Sequence, residues 1–185
     1  IQMKKEQLQS VDGILEERKR RLYGRREFRR FVVECVVLAA LIYAAFHYVI
    51  GLAVVSGSSM EPGLTDGEVV LFYRLDESYQ TNDLVIIHRA DGVEYIKRVV
   101  AEPGDVVELS KEGALLVNGK LREISTAVGK TQSTSAEVAY PYTVPADSYF
   151  VLGDNRENSK DSRSFGAVKA ADITGRVLVY MGMTR

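Results

Sequence analysis

Cysteine and histidine are nearly absent from this 185-residue chain: there is one Cys and there are two His. A single cysteine allows no intrachain disulfide, so a folded domain must be stable from its core alone. Cys35 lies inside a long apolar run, away from water and from any base, which excludes it as a nucleophile. Two isolated histidines, with no cluster of His, Cys and carboxylates at metal spacing, imply no metal site. There is no Gly-rich phosphate loop, and no other cofactor is implied. Internal repeats and long low-complexity tracts are also missing, which argues against a solenoid or an extended linker.

The chain does hold a strong charge asymmetry. Residues 1–30 carry ten basic residues against five acidic ones, whereas the whole chain has a formal net charge of −1. A basic head on a mildly acidic body points to a membrane or a nucleic acid as neighbour. Phe31 to Val55 decides between them. Glu34 and His47 are the ionisable side chains apart from Cys35 and the tyrosines in these 25 residues, and about 20 apolar residues span a bilayer. The preceding arginines place the N-terminus on the cytoplasmic side. A cleaved signal peptide fits less well, because its apolar core is shorter, at about 7–15 residues. Glu34 and His47, near the two ends of the run, are expected to reach the interface. Before the run, Leu8, Val11, Leu15 and Leu22 form a thin apolar stripe on a charged, helix-prone segment suited to anionic lipid. The expected organisation is a basic cytoplasmic segment at 1–30, a transmembrane helix at 31–55 and an extracytoplasmic domain at 56–185.

From Val69 onward the texture is short β-rich runs between turn residues. Strands are expected at Val69–Tyr73, Leu84–His88, Tyr95–Ala101, Val106–Leu109, Ala114–Val117, Tyr149–Leu152 and Arg176–Met181. Asn118-Gly119 is a strong two-residue hairpin signal. Ser125–Ala139, rich in Ser, Thr and Ala, reads as an exposed loop. The outer domain is therefore mainly β.

Three segments carry chemistry. They are Ser56-Gly57-Ser58-Ser59-Met60-Glu61-Pro62, then Tyr95-Ile96-Lys97-Arg98 with Pro103-Gly104-Asp105 following, then Gly153-Asp154-Asn155-Arg156 running on to Ser159, Asp161, Ser162 and Arg163. Singly, each has a bland explanation: an exit loop, a solvent-facing lysine, a turn. Together, in this order and after an N-terminal anchor, they resemble the signature boxes of bacterial type I signal peptidases.

The resemblance implies a signal-peptidase-like, LexA-like β fold and a serine endopeptidase with Ser59 as nucleophile and Lys97 as base. A serine hydroxyl needs a neighbouring base to take its proton. Lysine serves only when neutral, and with a free pKa near 10.4 about one in a few thousand is neutral at pH 7. Apolar burial must lower that value. Tyr95, Ile96, Val99 and Val100 are suitable surroundings. By the same resemblance Ser159 hydrogen-bonds the lysine, Asp161 and Arg163 form an ion pair beneath the site, and Asp154 with Arg156 fixes the shape of the third loop. The N–H of Ser59 is one oxyanion donor. A second donor, which some members supply from a serine side chain two residues upstream, falls here on Gly57, which has no side chain, so Ser58, Ser56 or another backbone N–H takes that place. Gly57 also permits close approach of an incoming peptide.

The implied substrates are membrane-inserted pre-proteins, cut after small residues in an Ala-x-Ala pattern. The bilayer is the implied surrounding; no nucleic acid and no obligatory protein partner is expected. A LexA-type self-cleaving repressor shares the serine–lysine logic, but such proteins are soluble and the Phe31–Val55 run argues against it. His88 ends an expected strand just before a turn, which makes a Ser-His-Asp triad a poor alternative.

Overall fold

The computed structural model describes residues 26–89 and 92–181. The stripe of Leu8, Val11, Leu15 and Leu22 and most of the basic 1–30 segment lie outside the described residues. The chain divides into two compact units, with the boundary between Phe46 and His47.

Helix α1, Arg26–Val49, is long and apolar enough to cross a membrane. Its last five residues, Ala45–Val49, form a π-helical turn. At about 1.5 Å per residue it is roughly 36 Å long. Phe31, Val36, Leu38, Leu41 and Ile42 are all exposed, an all-round apolar surface that suits a lipid environment. Glu34 pairs with Arg30 one turn earlier, Nε to Oε1 at 2.9 Å.

The expected helix at 31–55 is too long at its C-terminal end. Ile50–Val54 is strand β1, paired antiparallel with β2, Val69–Tyr73, from Ile50 opposite Tyr73 to Val54 opposite Val69. No charged residue interrupts the chain from Tyr48 through Val55, so composition alone cannot separate the helix from the strand that follows it. The hydrogen-bond partner that makes 50–54 a strand lies well downstream, across the loop that carries Ser59.

The remaining strands are β3, Leu84–His88; β4, Glu94–Ala101; β5, Val106–Leu109; β6, Leu115–Val117; β7, Lys120–Leu121; β8, Tyr142–Thr143; β9, Ser148–Leu152; β10, Val168–Lys169; and β11, Ile173–Met181. A four-residue helix, α2, occupies Ser162–Phe165. A seven-stranded sheet has the order β1-β2-β11-β3-β4-β9-β10, and a four-stranded sheet the order β7-β6-β5-β8. Asn118 and Gly119 both have positive φ, 54° and 72°, as a type I′ hairpin requires. The short strands β7, β8 and β10 carry too few residues for a period to register.

Strand β9 is buried throughout. Phe150 and Leu152 join Val107, Leu115 and Val117 in one apolar cluster, which links the two sheets. Tyr149 and Val151 join Val85, Ile87 and Val99 in a second. Strict alternation at β9 thus feeds two cores. A third cluster, Val55, Met60, Leu64, Val70, Phe72 and Ile86, underlies the loop after β1. Ser125–Ala139 is only partly an open loop, because Thr131 and Val138 are buried.

Candidate active site

The Ser59 segment is held from below and from both sides. Met60 and Leu64 sink into the third cluster at 1% and 0% exposure. The N–H of Leu64 donates to the Met60 carbonyl at 2.8 Å. Upstream, the Val55 N–H donates to the Glu68 carbonyl at 2.8 Å, and the Gly67 N–H to the Val55 carbonyl at 2.9 Å. Ser59 is left half-buried at the crest.

Strand β4 brings Lys97 to it. Lys97 Nζ donates to Ser59 Oγ at 2.7 Å and to the Ile96 carbonyl at 2.9 Å. The side chain is 1% exposed, and Nζ lies 5.5 Å from the centre of the Tyr95 ring. Burial pushes the amine down to about 8. Asp161 and Asp154 pull it up, and Arg163 pushes it further down. Desolvation wins because an ammonium loses more hydration here than the two carboxylates, each already tied to an arginine, return.

The third segment closes the site. The Asn155 N–H donates to the Ser59 carbonyl at 3.1 Å and Asn155 Nδ2 to the Ser58 carbonyl at 3.2 Å. Asn158 Nδ2 donates to Ser58 Oγ at 2.8 Å. Gly153 is required by this approach: a Cβ there would collide with Ser159 Oγ and would lie 2.5 Å from the Ser59 carbonyl oxygen. Asn155 and Asn158 are contributors that sequence reasoning misses. Asn155 in Gly-Asp-Asn reads only as turn-forming and Asn158 as part of the same loop, yet both side-chain amides reach across about a hundred residues of chain.

Two buried ion pairs support this loop. Asp161 meets Arg163 with both oxygens at 2.8 Å, accepts the Gly153 N–H at 3.0 Å, and caps α2 through the Arg163 N–H. Asp154 pairs with Arg98, the residue after Lys97, at 2.8 and 2.7 Å. Arg156 does not join it. Its Nη1 donates to Thr131 Oγ1 at 2.6 Å, and desolvation pushes its guanidinium down to about 10. The lysine's hydrogen bonds go to Ser59 and Ile96, whereas Ser159 Oγ is buried without a partner. The expected Ser159–Lys97 hydrogen bond is therefore not formed in this state. Gly57 stands at φ +87°, with open space where a Cβ would project.

Two cavities meet at the Ser59–Lys97 pair. One of about 110 Å³ is lined by Ala53, Val55, Met60, Ile86 and Ile96 together with Ser56, Glu94 and Tyr95. The other, about 320 Å³, is bounded by Gly57, Ser58, Asn158 and Lys160. A larger, open cavity of about 790 Å³ beside Asn82, Arg98 and Glu123 includes neither Ser59 nor Lys97 in its lining. The two smaller cavities are the ones that reach Ser59 and Lys97. No cluster of metal-ligating side chains occurs among the described residues.

Comparison with known proteins decides the family. The family model described as signal peptidase, peptidase S26, matches residues 28–181. The chain belongs to the type I signal peptidase family. Signal peptidase IB of Staphylococcus aureus (strain Mu50) is 31% identical over 172 residues, covering 83% of this chain and 88% of its own. Signal peptidase I of Bacillus licheniformis is 35% identical over 160 residues, covering 80% and 84%. The crystal structure of a signal peptidase I from Enterococcus faecalis V583 shares 31% identity, covers 55% of this chain and 97% of its own, and superposes with a TM-score of 0.46. As a signal peptidase the chain is a peptidase that removes signal peptides from pre-proteins, and α1 is consistent with anchoring in a membrane.

Proposed function

We propose that this signal peptidase cuts secreted pre-proteins after small residues, in an Ala-x-Ala pattern, through a Ser59–Lys97 dyad. The observation that carries the reading is the 2.7 Å contact between Ser59 Oγ and the amine of a lysine that is 1% exposed and pushed down to about 8. Such a lysine has an appreciable neutral fraction near neutral pH and can take the serine proton. Ser59 Oγ attacks the scissile carbonyl as Lys97 accepts that proton. Lys97 returns the proton to the leaving amine; the neutral Lys97 amine then deprotonates a water that attacks the acyl-enzyme, and the proton passes back to Ser59 Oγ as it leaves. Among the described residues nothing accepts a hydrogen bond from the Ser59 N–H, so this donor is available to the oxyanion. The cavity of about 110 Å³ beside the dyad is small and has Ala53, Val55, Met60, Ile86 and Ile96 in its lining, which favours an alanine-sized side chain. Ser159 has a buried, unpaired hydroxyl, which supports reading it as the residue that holds Lys97 when the serine moves to attack. The Asp161–Arg163 and Asp154–Arg98 ion pairs keep the loop rigid.

The same reading places the basic 1–30 segment in the cytoplasm, α1 across the plasma membrane and the β domain outside, with the bilayer and membrane-inserted pre-proteins as its partners. Cleavage of a pre-protein by the detergent-solubilised chain, run beside Ser59→Ala and Ser58→Ala, tests the dyad. Ser59→Ala is expected to lose nearly all turnover while folding normally. Activity kept in Ser59→Ala but lost in Ser58→Ala moves the nucleophile by one residue and ends this assignment.

A further inference from the structure

The loop that presents Ser59 contains a residue free to take either hand. Glycine visits positive and negative φ at similar cost, and Gly57 stands at φ +87° with no atom within 4 Å of where a Cβ would be. Packing at that point does not choose its conformation. A carboxylate does: the Gly57 N–H donates to Asp66 Oδ1 at 2.7 Å. Among the described residues this is the single hydrogen bond made by Ser56 or Gly57. It bridges the stretch between Val55, which the 67–68 backbone clasps on both its polar groups, and Ser58, which Asn155 and Asn158 hold. Asp66 itself sits in a braced turn, where the Glu68 N–H donates to the Thr65 carbonyl at 3.2 Å and Thr65 Oγ1 to Glu68 Oε1 at 2.8 Å.

We propose that Asp66 is a positioning residue for the reaction: by accepting the Gly57 N–H it holds the nucleophile loop in the one hand that aims the Ser59 N–H at the oxyanion. The proposal rests on the reading of Ser59 as nucleophile and donor. It also removes one candidate for the second oxyanion donor, since the Gly57 N–H is committed to Asp66. A hydrogen bond to a charged acceptor is among the stronger kinds, and Asp66 is exposed. Its loss therefore disturbs aim more than fold. Outright removal of an oxyanion donor costs about 10²–10³ in kcat, and misdirecting one part of the time costs less.

The test uses the full chain in detergent, a pre-protein substrate, and Asp66→Ala and Asp66→Asn beside wild type and Ser59→Ala. Asp66→Ala is expected to lower kcat about tenfold with KM within about twofold, at an unchanged melting midpoint. Asp66→Asn keeps an acceptor oxygen at the same reach and is expected to regain most of that loss. Combining Asp66→Ala with Gly57→Ala is expected to cost less than the product of the two single losses, because both act on one backbone conformation. Wild-type kcat in Asp66→Ala, no recovery in Asp66→Asn, or a kcat loss that follows a fall in the midpoint each overturns the proposal. If Ser59→Ala cleaves like wild type, the dyad reading is what fails, and the proposal falls with it.

Discussion

An ordinary lysine is protonated at neutral pH, and a protonated amine has no lone pair with which to accept a proton. Lys97 escapes this through burial at 1% exposure, against the pull of two nearby carboxylates. Below about pH 8 the ammonium form dominates, and above it the free base does, so cleavage is expected to rise with pH through that region. A flat pH profile across that region contradicts a lysine base. Lys97→Arg retains the charge and most of the length, yet arginine stays protonated in proteins, so its turnover is expected to be nearly as low as that of Lys97→Ala. Substantial turnover in Lys97→Arg reassigns Lys97 to an electrostatic role. The same burial has a cost in stability. The folded-state value lies below the unfolded one, so the folded chain binds fewer protons and the penalty is complete below about pH 8. It fades as pH rises toward 10.5, the ordinary lysine value. Lys97→Met is expected to be inactive but more stable at pH 7, by an amount of the order of 3 kcal/mol from about 1.4 kcal/mol per pKa unit. Urea titrations of both proteins at about pH 7 and about pH 10 check this, and a gain that grows with pH refutes it.

At the scale of elements, the loop from β9 into α2 is built around Asp161. It holds Arg163 through two oxygens, the Gly153 N–H, and the first turn of α2. Asp161 is 0% exposed, so stripping away its partner leaves a buried charge. Arg163→Met is expected to lower stability by about 3–5 kcal/mol, the usual result of breaking one side of a buried pair. It also has a predicted signature at the site. Arg163 pushes the Lys97 amine down, so its removal lets that value rise, and the alkaline rise in cleavage moves to higher pH. A profile displaced toward lower pH contradicts the electrostatic link. Gly153 shows why this loop tolerates so little: it lies between the Ser159 side chain and the Ser59 carbonyl, where even a methyl group has no room.

For the whole molecule, the proposed orientation rests on charge. The arginines before α1 resist transfer across a bilayer, and the apolar helix stops there. Protease added to intact spheroplasts is expected to reach the 125–139 loop, where Ser125, Lys130 and Ser133 are exposed. Complete protection of that loop until lysis reverses the orientation. Burial of Thr131 by Arg156 and of Val138 in the core confines cleavage to the outward-facing residues of the loop.

Much of this protein can be read along the chain. Val69–Tyr73, Leu84–His88 and Val106–Leu109 emerge with the expected bounds, because β-branched runs between turn residues are local signals. The Asn118-Gly119 hairpin is equally local. The three boxes mark Ser59, Lys97 and the 153–163 segment as one group, since residue identity and order are both properties of sequence. Partners are not legible there. Asp154 lies two residues from Arg156 yet pairs with Arg98, 56 residues away. Asn158 reaches Ser58 over a separation of 100, and Asp66 reaches back to Gly57 across a turn. The helix–strand boundary at Ile50 is of the same kind, since Ile50–Val54 becomes a strand only when β2 supplies its hydrogen bonds. Chemical identity and local period belong to the chain. The burial that lowers the Lys97 amine, and the partner each polar group finds, exist only once distant segments have excluded water from between them.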